Sequence, residues 1–260
     1  MMSGVTIIIW RELQDLRRSP SLVWSMASLP TTLVAVPLLV VWYLINNASD
    51  AAIFFIKDLY GTAGEANAEV VVAAAAQNWL PLFLVMPVFL PVIIAAASVG
   101  GERERRTLEP LLATPISTLA IVVGKSVAAV LPAVAITWAS AAVFIGGLDL
   151  LAYRAAGIVP LPDVPWLFGV VGLSPLLSLF GNTLAVVVSS RVNDARAAQN
   201  IAAMSVVPLV GLVVAQLFGR VELDMPFYIL FGLAVAAADV VLVFLAAALF
   251  DRERLLTSWR

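Results

Sequence analysis

The chain reads as an all-α membrane protein: six transmembrane helices, a leading interfacial helix, and a short charged segment between spans two and three. Three observations predict this. Of 260 residues, 62% are hydrophobic and only 12% charged, with mean hydropathy +1.02, against about 45–50% apolar and about 25% charged in soluble domains. Six stretches reach the roughly 20 apolar residues that a membrane-crossing helix requires. Those stretches are apolar throughout, without the period-two alternation of a membrane β-barrel.

In chain order, the first element is amphipathic. Ile9, Trp10, Leu13 and Leu16 share one face, against Arg11, Glu12, Gln14, Asp15, Arg17 and Arg18. This spacing predicts a helix over 4–18 lying flat in the membrane interface, with Ser19-Pro20 turning the chain inward. Span one, 22–45, is longer than the roughly 7–15 apolar residues of a cleaved signal peptide and is expected to remain. Residues 46–78 are expected to form a small helical cap on the outer surface. Span two, 79–99, carries Pro81, Pro87 and Pro91 and should be bent or partly non-helical near its outer half. Spans three to six follow at 119–145, 166–189, 200–218 and 227–250, and the whole of 1–260 is expected to form one transmembrane domain.

Orientation follows from basic residues. Twelve of the fifteen lysines and arginines fall on the side that holds both termini and the loop between spans two and three, leaving Lys57, Arg154 and Arg220 opposite. Positive residues accumulate inside, so both termini are expected in the cytoplasm and the protein in the cell membrane, crossing it repeatedly. Lys125, near the inner leaflet, can extend its ammonium to water.

Several function classes are disfavoured. There are no cysteines and no histidines, which removes thiol chemistry, thiolate metal sites and the commonest general base. A net charge of −2 gives no reason to expect nucleic acid. Gly124-Lys125-Ser126 looks like the end of a phosphate-binding loop, but the glycine required five positions earlier is Leu119. No catalytic residues, bound cofactor or metal are expected in this chain.

The densest charge lies at Gly101–Ser117. Glu102 and Arg106 are four apart, as are Arg105 and Glu109, and Leu108, Leu111 and Leu112 form an apolar stripe. These spacings suit a short solvated amphipathic helix, which Pro115 should end, leaving Thr114 extended. Such a helix can act as a lever on a soluble partner. It can also be a loop whose arginines merely hold topology.

The stretch from Gly101 to Ser117, followed by Val123-Gly124-Lys125, resembles the ABC-2 family of ATP-binding-cassette export permeases, and Trp10–Arg17 looks like that family's entry helix. The resemblance implies that the block is a coupling helix docked in a cleft of an ATPase subunit. Glu102, Glu104, Thr107, Leu108, Glu109, Leu111 and Leu112 would make the contact, and Thr114, Pro115 and Ser117 the turn back into the membrane. Arg106 stands where the family usually has glycine, which a helical block accommodates. The resemblance further implies a partner ATP-binding subunit that holds the ATP and Mg, and a second permease copy or paralogue, giving a 2+2 complex in the lipid bilayer.

Within the spans, Asp239 is the one carboxylate at mid-depth, with Asn182 and Gln216 as polar company. A buried carboxylate in lipid costs at least about 2.5–3.5 kcal/mol and is a functional candidate by default; it can equally serve as interhelical packing glue. The function expected is the permease subunit of an ATP-driven exporter for a drug, lipid or other amphiphilic or hydrophobic cargo. The alternatives are an ion- or proton-coupled secondary transporter using Asp239, and a non-transporting membrane scaffold for an ATPase.

Overall fold

The computed structural model describes residues 4–47, 72, 79–104, 118–190, 192, 195–217 and 224–249. The helices are α1 Gly4–Arg18, α2 Pro20–Asn46, α3 Val85–Glu104, α4 Thr118–Ala156, α5 Val164–Leu167, α6 Ser174–Ser189, α7 Ala195–Ala203, α8 Val207–Leu217 and α9 Met225–Leu249. No strand occurs among the described residues. A π-helix, Phe168–Leu173, joins α5 to α6, and a 3₁₀ turn, Met204–Val206, joins α7 to α8. Among the described residues, five helical rods are long and apolar enough to cross a bilayer, and Trp79–Ala95 is a shorter apolar helix.

The helices themselves extend past the expected spans in two places. The helix that carries the expected third span 119–145 runs on beyond it: α4 reaches Ala156, and its 39 residues measure about 58 Å at 1.5 Å per residue. That is nearly twice the roughly 30 Å hydrocarbon layer. Gly157, at φ +72, ends the helix in the left-handed conformation that glycine adopts without penalty. The return is held by acids: Asp149 Oδ1 accepts from Leu161 N at 3.1 Å, and Asp163 Oδ1 caps α5 by accepting from Trp166 N at 2.9 Å. The fifth apolar span, Gln199–Gln216, starts where it is expected; its helix α7 begins at Ala195 and passes through the 3₁₀ turn just before Pro208. Pro208 has no N–H for the carbonyl of Met204, and the tighter turn absorbs that loss.

The second span is interrupted, as its prolines require. Residues 79–83 are helical, Leu84 is a turn, and α3 restarts at Val85. Pro87 cannot donate to the carbonyl of Phe83, which fixes the break there. At its other end α3 continues to Glu104, so the first residues of the charged block extend the span's own helix instead of starting a separate one. Within 48–78, the expected outer cap, only Val72 is described, helical and fully buried in the main core; the rest lies outside the described residues.

Helices α3 and α6 form the centre, packed along each other, with α4, α7 and α9 around them and α2 against α4. The α3–α6 approach is backbone to backbone. A Cβ on Gly181 would collide with the carbonyl oxygen of Val88, so only glycine permits this spacing, the small-residue device of helix pairs in lipid. Phe83, Phe144 and Trp166 tie spans two, three and four together, with centroids 4.9–5.3 Å apart. By contrast α2 and α9 turn large apolar side chains outward, among them Trp24, Leu39, Leu230 and Phe244. Apolar residues presented to the exterior along a whole helix mark a lipid-facing surface.

Candidate functional site

The chain offers two regions for function: the base of the bundle around the charged block, and a polar layer inside it. At the base, the backbone of Glu102 and Glu104 lies in the last turn of α3. Thr107, Leu108, Glu109, Leu111, Leu112, Thr114 and Pro115 lie outside the described residues. The block therefore links the end of α3 to the start of α4 at Thr118.

What α4 does on leaving the block is well defined. Its first turns press on α1: a Cβ on Gly124 would stand 2.9 Å from Ile8 Cβ and Cγ2, so glycine allows the two helices to touch. One residue on, Lys125 Nζ meets Glu12 Oε1 at 2.6 Å, with the two side chains only 9% and 13% exposed. The expectation of a lysine extending to water is thus corrected, since burial against α1 favours the carboxylate instead. Hydropathy and spacing could not have paired residues 113 apart.

The second region is in α6. Ser174, Ser178 and Asn182 recur every four residues on its buried side, with Gly181 and Ala185 alongside. Small and polar residues on one face let neighbouring helices close in. Helix α9 packs there with a heptad stripe of its own, Gly232, Asp239 and Ala246. Gly232 abuts Leu173, and Ala246 shares a cluster with Ala185 and Val186. These two fixed points place Asp239, midway between them, level with Ser178 and Asn182. All three are buried, at 4%, 0% and 1% exposure.

None of these groups is satisfied locally. Both carboxylate oxygens of Asp239, both amide atoms of Asn182, the Ser178 hydroxyl and Gln216 Oε1 have no hydrogen-bond partner among the described residues. Most hydroxyls in the helices do find one: Thr137 donates to Ala133 O at 2.8 Å and Thr183 to Leu179 O at 2.8 Å. Gln216 lies on α8, which reaches the main core through Leu209 and Leu212, and is not on the α6–α9 seam that brings Asp239 level with Asn182. Ser178 escaped sequence reasoning, although its position four residues before Asn182 on one helix was a usable signal.

A third feature stiffens the wall of this layer. Pro175 has no N–H, so the carbonyls one turn before it lose a donor. Val170 O is instead served by Trp138 Nε1 at 2.9 Å and by the Ser174 hydroxyl. The π-helix is where this exchange happens, a distortion frequent at functional sites.

No curated protein matches the chain. A family model described as ABC-2 family transporter protein matches residues 6–229, a range that includes most of α1, the charged block, and the polar stripe of α6. Proteins of this family are membrane transport components that associate with an ATP-binding subunit, and the long apolar helices here fit such a component. The chain belongs to the ABC-2 transporter family.

Proposed function

We propose that this protein is the membrane subunit of an ATP-driven exporter, moving an amphiphilic or hydrophobic cargo out of the cytoplasm. It lies in the cell membrane and does no chemistry itself; ATP and Mg are handled by a separate ATPase subunit. Two such chains, or one with a paralogue, line the pathway above two ATPases. The observation that carries the reading is the family match over 6–229, which spans the charged block joining α3 to α4. Within it, Glu102, Glu104, Thr107, Leu108, Glu109, Leu111 and Leu112 grip the ATPase, and Thr114 and Pro115 shape the return. The grip is coupled to the bundle by position: α3 leads directly from the block to the backbone contact at Gly181, and α4 leads from it to α1.

The test is purification in mild detergent, asking whether a nucleotide-hydrolysing subunit accompanies the chain in equal amount. Leu111→Asp should release that subunit and abolish flux while leaving the permease folded. A subunit that stays bound to Leu111→Asp rejects the assigned contact, and undiminished flux by that variant reduces the chain to a scaffold.

A second reading has one observation in its favour. The unsatisfied polar layer at Asp239, Asn182 and Ser178 is what an ion- or proton-coupled carrier would contain. Transport that stops without ATP but persists in Asp239→Asn excludes it.

A further inference from the structure

A groove of about 590 Å³ opens between α1, the first half of α2 and the middle of α4. That is within the roughly 300–1,000 Å³ of small-molecule sites. Its wall changes character along its length. At the α1 end stand Trp10, Gln14 and Arg17, whereas Met26, Pro30 and Ile136 line it further in. Thr31, the hydroxyl at that depth, donates to Ala27 O at 2.7 Å, so the wall there presents hydrocarbon. The groove exists because prolines stand on both long helices, Pro30 on α2 and Pro132 on α4. Each pushes its ring at the carbonyl four residues back and prevents straight packing.

Charge decides what fits. Arg17 is exposed, and no carboxylate lies within ion-pair distance of it among the described residues. The acids of α1 are engaged elsewhere: Asp15 stands 4.0 Å from Arg11, and Glu12 is held by Lys125. A cation that meets no carboxylate among the described residues thus sits at the mouth of an apolar slot beside a tryptophan suited to the headgroup level. We propose that the groove binds one anionic phospholipid from the leaflet in which α1 lies. Its phosphate rests on Arg17 and one acyl chain runs between α2 and α4. The site is independent of what the protein transports.

The test is native mass spectrometry of the intact chain, with any accompanying ATP-binding subunit, offered phosphatidylglycerol or phosphatidylcholine. Phosphatidylglycerol should be retained in preference. Arg17→Gln should weaken that retention about fivefold, the effect of one basic residue near an anionic surface. Arg18→Gln, one residue along but outside the groove, should change it far less. Because the chain has no cysteine, Ala27→Cys can be labelled after folding with a bulky maleimide, filling the groove without disturbing folding; retention should then disappear. Equal losses from Arg17→Gln and Arg18→Gln would mean diffuse surface attraction and overturn the proposal. So would retention that survives the label, or cross-linking of Ala27→Cys between two copies, which would make the groove a subunit interface.

Discussion

Lys125 and Glu12 meet at 2.6 Å in a largely buried contact that fastens the first helix of the protein to the helix emerging from the charged block. The pair sits one residue from the Gly124–Ile8 contact, so apolar packing and charge act at the same point. A displacement of the start of α4 would pull on α1 through these two contacts.

Breaking the pair from one side should be costly, and breaking it from both should not. Lys125→Met takes the ammonium away from a carboxylate that is 13% exposed, and loss of one partner of a buried pair costs roughly 3 kcal/mol. Glu12→Gln combined with Lys125→Met removes the charge as well and should recover most of that stability. Unfolding midpoints of the four proteins in one detergent give the coupling directly. A double variant as weak as Lys125→Met would show that the methylene packing, and not the charge, holds α1.

The α3–α6 contact predicts a sharp contrast between two glycines. Gly181→Ala places a methyl against the carbonyl oxygen of Val88, a backbone atom that cannot rotate away, so the central helices must part. Overpacking of this kind costs about 1–3 kcal/mol and should also lower the yield of folded protein. Gly146 has nothing within 4 Å of its would-be Cβ and is helical, so Gly146→Ala should stabilise by up to about 1 kcal/mol. Thermal unfolding of the two variants side by side checks both signs.

The π-helix yields a rescue experiment. Trp138→Phe keeps the ring but removes the indole donor to Val170 O, which should cost about 1 kcal/mol, the net worth of a hydrogen bond. Pro175→Ala restores a backbone N–H next to that carbonyl. In the Trp138→Phe background it should recover part of the loss and regularise the turn. A double variant less stable than Trp138→Phe would show that the proline's rigid ring matters more than its missing donor.

How far these features could be read from sequence depends on whether their cause is local. The apolar rods follow from composition, and the α1 stripe through Ile9, Trp10, Leu13 and Leu16 from helical periodicity. The break at Leu84 follows from proline chemistry. The extension of α4 beyond 145 is not legible, because Gly146-Gly147 and Asp149 resemble a terminus in sequence. In the fold Gly147 instead makes room for Leu38, and Asp149 receives a backbone N–H from the loop beyond. The Trp138–Val170 and Glu12–Lys125 contacts join different helices and leave no local trace. Asp239 and Asn182 stood out by polarity in an apolar span. Their sharing of one level depends on the register of α9 against α6, which Gly232 and Ala246 set.

Asp239 is where stability and function should separate. Its carboxylate is 4% exposed, with neither oxygen hydrogen-bonded among the described residues. Placing such a group at mid-depth costs at least about 2.5 kcal/mol. An unpaired polar group replaced by an apolar one of similar size generally stabilises a fold. Asp239→Leu should therefore raise the unfolding midpoint, and Asn182→Leu should do the same to a smaller extent. If the layer takes part in transport, ATP-driven flux should fall in both variants even as stability rises. A packing residue would behave in the opposite way, losing stability while flux per folded molecule stays constant. Measuring the midpoint and the flux on the same preparation separates the two roles, because they predict opposite signs for stability and different outcomes for flux.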